Sequence, residues 1–102
     1  MDDLTGFQRD LFYVVAGLDE PKGITVQREL ESAYGSSVIH ARVYQNLDTL
    51  EGESLVEKGA KDARTNYYDL TEAGEDVIRE RREWEREYLA ESDVEVEAVT
   101  DT

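Results

Sequence analysis

Cysteine is absent from the 102 residues, which removes disulfides, thiolate nucleophiles, Cys-ligated zinc and thiol redox sensing together. Histidine occurs once, at His40, with no partner at ligand spacing, so no metal site is expected and a surface or helix-start position suits it better. The carboxylates lie scattered along amphipathic faces instead of pairing beside apolar pockets. Without acid, base or nucleophile sets to assemble, the chain is not expected to be an enzyme, and it calls for no cofactor. No run approaches the roughly 18 apolar residues of a membrane span. The start Met1-Asp2-Asp3 lacks the basic flank of a signal peptide, so a cytoplasmic protein is expected.

Lysine is scarce too. Three lysines (Lys22, Lys58, Lys61) and eight arginines face 25 acids, giving a net charge of -14, yet 39% of residues are hydrophobic. Such a chain has the material for a core, and its acid-rich, lysine-poor surface points to concentrated salt. At this length one domain with a modest core is expected, with an oligomer to supplement it.

The most informative stretch runs from Val38 to Leu70. As a helix over 38–50, it puts Ile39, Val43, Leu47 and Leu50 on one buried stripe. The far side carries Ala41, Arg42, Gln45, Asp48 and Thr49, with Tyr44 and Asn46 on its shoulders, instead of the Glu/Lys mixture of a solvated helix. Arg, Gln and Asn can each make paired hydrogen bonds to base edges in a major groove. Arg42 is the one permanent cation here and the first candidate for a guanine or phosphate contact. Tyr44 fits either a DNA contact or a core position with its hydroxyl at the surface. After a break at 51–54, a strand beginning Leu55-Val56-Glu57-Lys58 leads to the tip Lys61-Asp62-Ala63-Arg64-Thr65, and Asn66-Tyr67-Tyr68-Asp69-Leu70 returns as a second strand. Lys61 and Arg64, with Thr65, are the candidates for phosphate or minor-groove contact.

The flanking elements serve this stretch. Thr5 and Gln8 form a capping box for a first helix with Phe7, Leu11, Val14, Val15 and Leu18 on one face, ended by the loop 19–23. Ile24, Val26, Leu30 and Tyr34 define a second, short helix ending at Gly35, and Ser36 or Ser37 can cap the next. Three helices with a turn at Gly35, then a hairpin, make a winged helix-turn-helix: mainly α with a small β-hairpin (α+β). Thr71 caps a last helix over 72–89 whose stripe Val77, Ile78, Arg81, Trp84, Tyr88 and Leu89 has nothing left to cover within the chain. Pairing with its own copy is the expected use of that stripe, ahead of a ligand pocket at Trp84 and Tyr88. The expected divisions are 4–71 for the DNA-binding unit, 72–90 for the dimerisation helix and 91–102 for an acidic flexible tail.

Tyr44-Gln45-Asn46-Leu47-Asp48-Thr49-Leu50, then Leu55-Val56-Glu57, then Arg64 through Tyr67-Tyr68-Asp69-Leu70-Thr71-Glu72-Ala73-Gly74, resembles the PadR family of winged-helix transcriptional regulators, above all the short single-domain members of salt-loving archaea. Gln45 stands where that family usually has proline or another small residue. The resemblance implies a homodimer held by the last helix and the first, which adds Phe7 and Leu11 to the dimer residues. It also implies a pseudo-palindromic operator read by two helices in successive major grooves, and action as a repressor or dual regulator. Ser37, Ala41, Arg42, Tyr44, Gln45, Asn46, Thr49, Lys61, Arg64 and Thr65 are the expected DNA contacts.

The acidity is the obstacle. Residues 1–70 hold 13 acids and 7 bases, whereas 71–102 hold 12 acids and 4 bases, so the last helix and tail are the more acidic part. From Ser54 to Tyr68 three bases meet two acids, which leaves the wing locally positive. At molar salt the Debye length is about 3 Å, so distant carboxylates barely repel phosphates. Bound monovalent cations bridging carboxylates to the duplex would let binding survive or strengthen with salt. The competing expectation is an acidic winged-helix module that binds a basic protein and no specific DNA.

Overall fold

A computed structural model of the chain describes residues 3–90 and 92, so the expected acidic tail over 91–102 lies outside the described residues apart from Ser92. The order is α1 (Gly6–Gly17), α2 (Gly23–Tyr34), α3 (His40–Gly52), β1 (Val56–Ala60), β2 (Asn66–Leu70) and α4 (Glu72–Leu89). The capping box forms as expected. Gln8 N donates to Thr5 Oγ1 and Thr5 N to Gln8 Oε1, each at 3.1 Å, which satisfies two free amides at the start of α1. Gly35, at φ +72°, ends α2 in the left-handed region that a side chain would resist.

α3 starts two residues later than expected and runs two further. Ile39 is its N-cap and neither serine caps it. The cause lies in α2. Glu31 accepts from Val38 N at 2.9 Å, and Gln27 Nε2 donates to Val38 O at 3.0 Å, so both backbone groups of Val38 are engaged outside the helix. Val38 thus enters the core, while Ile39, expected on the buried stripe, is 72% exposed.

β1 and β2 pair antiparallel from Val56↔Leu70 to Ala60↔Asn66. The loop 19–23 carries more structure than a connection. Lys22 bridges Tyr67, and Tyr68 N donates to Pro21 O at 2.9 Å, so a two-residue stub adds a third edge beside β2. The core is shared by every helix but α4: Phe7, Leu11, Phe12 and Val15 meet Val26, Leu30, Val43, Leu47, Leu50, Val56 and Tyr68. Phe12, off the expected stripe, is fully buried because α1 is covered on a second side by the hairpin and the start of α4.

That start is tightly built. Thr71 Oγ1 accepts from Gly74 N at 2.9 Å and donates to Ser54 O at 2.6 Å, while Thr71 N donates to Leu55 O at 3.1 Å. A Cβ on Gly74 would collide with the Leu55 carbonyl. The Leu-Thr-x-x-Gly run is therefore a weld between the wing and α4. Ser54 itself holds φ +63°, a left-handed conformation in a residue with a side chain.

Candidate nucleic-acid interface

Packing fixes which side of α3 faces outward. Val43, Leu47 and Leu50 are entirely buried, so Ala41, Arg42, Gln45, Asp48 and Thr49 are left exposed on the opposite side. Ser37 is exposed in the turn before it. The two shoulder residues have internal duties. Asn46 accepts from Gln8 Nε2 at 2.9 Å and donates to Arg42 O at 2.8 Å, which ties α3 to α1 and leaves the amide little to offer a base. Tyr44 is half-buried, with its ring lying on Gly23 and 4.4 Å from the His40 ring, so of the two alternatives raised for it the ring takes a packed position. Thr49 Oγ1 donates to Gln45 O at 3.1 Å.

Arg42 does not project freely. Its guanidinium lies 3.7 Å from the centre of the Phe7 ring, a cation–π contact that holds an exposed cation at the seam of α1 and α3. Nearby, Tyr34 donates to Asp10 Oδ2 at 2.5 Å, and partial burial together with this bond pushes its phenol up to about 12. His40 Nδ1 sits 3.0 Å from Gln27 Oε1 at the surface start of α3.

The hairpin tip is shaped by its own backbone. Asp62 Oδ1 accepts from Arg64 N at 2.9 Å, and Lys61 N donates to Thr65 O at 2.8 Å. The Arg64 amide is the main cause holding the Asp62 carboxyl below the usual carboxylate range, followed by the Thr65 side chain. Lys61 Nζ stands 5.4 Å from the Tyr67 ring centre. Lys58, counted with the positive wing in the sequence, instead reaches back to Asp48 at 3.6 Å and Glu51 at 3.9 Å on α3. Among the described residues the wing's unpaired positive charge is thus confined to Lys61 and Arg64. Among the described residues Lys22, Arg42, Lys61 and Arg64 make no ion pair, whereas Arg79, Arg81 and Arg86 on α4 each pair with a carboxylate three or four residues away.

Between these parts lies a groove of about 350 Å³. The start of α2 supplies Lys22, Gly23 and Ile24, α3 supplies Tyr44, and the hairpin supplies Arg64, Thr65, Asn66 and Tyr68. No carboxylate among the described residues lines it. Tyr68 is buried beneath α3, and that burial, with Asp48 next in effect, pushes its hydroxyl up to about 12. No local pattern marks Lys22 as part of this site, since its placement depends on pairing with Tyr67, which is remote in the chain.

The residues expected at a dimer contact divide. Leu11 is fully buried within the chain and Phe7 is 8% exposed under Arg42, so within the single chain both fill its core. Val77 and Ile78 are half-buried against that same core. Beyond them Trp84 is 48% and Tyr88 66% exposed, their rings 4.9 Å apart, and the Arg81 guanidinium lies 4.2 Å from the Trp84 ring. Leu89 is 36% exposed. Tyr13 of α1 faces the same helix: burial, then the Glu85 carboxylate, raises its phenol above the usual value.

Residues 13–80 match the transcriptional regulator PadR-like family. Among solved structures, the complex hsRosR-S1 is 41% identical with a TM-score of 0.84, over 89% of this chain and 80% of that one. RosR of H. salinarum grown from NaBr is also 41% identical, with a TM-score of 0.81 over 88% of this chain and 81% of that one. FabT of Streptococcus pneumoniae in complex with DNA superposes with a TM-score of 0.69 over 86% of this chain and 59% of its own; at 19% identity that likeness speaks for the fold alone. No curated protein matches significantly.

Proposed function

This chain belongs to the transcriptional regulator PadR-like family, and on that premise we propose that it is a sequence-specific DNA-binding regulator, a repressor or dual regulator, acting as a homodimer at high ionic strength. The observation that carries the proposal is the outward face of α3. In a chain with 25 acids, that face offers Ala41, Arg42, Gln45 and Thr49 opposite a fully buried stripe, with a single carboxylate, Asp48, which Lys58 engages, beside a hairpin tip whose two cations are unpaired. Arg42 and Gln45 then read base edges in the major groove while Lys61, Arg64 and Thr65 hold the backbone or minor groove. Ser37 and Tyr44 contact phosphates at the margins, and Asn46 acts chiefly by fixing α3 on α1. In this reading monovalent cations shield the carboxylates facing the duplex.

α4 supplies the twofold contact through Arg81, Trp84, Tyr88 and Leu89, with 4–71 as the DNA-binding unit and 72–90 as the dimerisation helix. No helix among the described residues is long and apolar enough to cross a membrane, which is compatible with the proposed cytoplasmic site of action.

A band shift of the full chain on its own promoter fragment, in low and in molar KCl, tests the reading. A specific complex that an unrelated duplex does not compete away is the expected result. Its absence at every salt would leave the acidic protein-interaction module as the better account.

A further inference from the structure

We infer that the groove between the start of α2, the shoulder of α3 and the hairpin tip receives one phosphodiester of the DNA backbone, with Lys22 as its main, previously unassigned, cation. The inference rests on the reading of α3 and the wing given above. In a duplex, a sugar-phosphate strand always separates a major groove from the neighbouring minor groove. If α3 occupies the first and the tip the second, that strand must pass between them, which is where the groove lies.

Charge agrees with this occupant. Lys22 and Arg64 approach the groove from separate segments, neither ion-paired among the described residues, and no carboxylate among the described residues lines it. The nearby acid of the tip, Asp62, is turned into its own loop, where Oδ1 accepts from Arg64 N. The site is also held firmly. The Lys22 backbone bridges Tyr67 and begins α2, and Pro21 O accepts from Tyr68 N, so the exposed Lys22 side chain hangs from a fixed edge. Gly23 lets the Tyr44 ring lie on bare backbone, where any Cβ would collide with it, and this sets the ring at the wall of the groove.

The test compares the full chain with Lys22→Ala and Lys22→Arg on its own promoter fragment and on an unrelated duplex of equal length, at one fixed KCl concentration. Lys22→Ala should weaken binding to both duplexes alike, by roughly tenfold, and Lys22→Arg should restore most of it. Ethylation interference should reveal in each half-site a phosphate, between the segments protected by α3 and by the wing, whose alkylation blocks the natural protein and no longer matters to Lys22→Ala. Specific binding by the natural protein, with Lys22→Ala within twofold of it and the interference pattern unchanged, would overturn the groove assignment and leave the proposed function standing. Failure of the natural protein to form any specific complex would overturn both.

Discussion

Arg42 and Lys61 carry the same charge and different geometry, so they should fail differently. Arg42 lies over Phe7 at the edge of the outward face, and its proposed contact is one base or the phosphate beside it. Arg42→Ala should cost about 1–3 kcal/mol of specific binding and relax one base position, whereas Lys61→Ala should weaken all sequences alike. Selection of bound sequences from a random pool separates the two; identical profiles would mean that the reading face is misassigned. Two backbone positions make folding predictions. Gly74→Ala drives a methyl into the Leu55 carbonyl and should destabilise by roughly 1–3 kcal/mol, measured by urea unfolding. Ser54→Gly relieves a left-handed φ of +63° and should stabilise by up to about 1 kcal/mol in the same assay. A drop in stability would show that the Ser54 side chain does something its backbone angle does not reveal.

Tyr34 and Tyr68 set an alkaline limit. Both are raised from 10.0 to about 12, so between these values the folded chain keeps protons that the unfolded chain has released. Their contribution is complete below pH 10 and disappears as the pH rises through about 12. The urea midpoint should fall across that interval, and Tyr68→Phe should flatten the decline.

At the level of elements, local signals were legible and remote ones were not. The Thr5–Gln8 box, the Gly35 stop and the Thr71 cap depend on neighbours within a few residues, and all three form where the sequence places them. The start of α3 is not legible locally because Gln27 and Glu31, on another helix, decide the fate of Val38. The Pro21–Lys22 stub and the retraction of Lys58 onto α3 escaped for the same reason. Helical periodicity could find the α1 stripe, but it could not know that the helix is covered on two sides, which buries Phe12 together with Leu11. For α4, periodicity sufficed to mark the stripe, and folding divides it into an inner part and an exposed aromatic part. Trp84→Glu with Tyr88→Glu should convert a dimer to a monomer in sedimentation equilibrium while helix content is kept. An unchanged mass would remove α4 as the twofold contact.

For the whole molecule the question is how a chain of net charge -14 approaches a polyanion. Its ion-paired arginines lie on α4; of the cations that make no ion pair among the described residues, Lys22, Arg42, Lys61 and Arg64 surround the face proposed to meet DNA, while Arg9, Arg28 and Arg82 lie on α1, α2 and α4. Salt that screens the remaining carboxylates to within about 3 Å removes long-range repulsion, and those short-range contacts remain. Affinity should therefore hold or rise between low and molar KCl; steady weakening with the usual negative slope would discard the salt-adapted part of the account.

The most direct measurement is a hydroxyl-radical footprint of the full chain on its promoter fragment in molar KCl. The account predicts two protected segments on one face of the duplex, centred about one helical turn, roughly 10 base pairs, apart, and loss of both in Gln45→Ala combined with Arg42→Ala. A single protected segment, or a footprint that the double variant leaves intact, would contradict it.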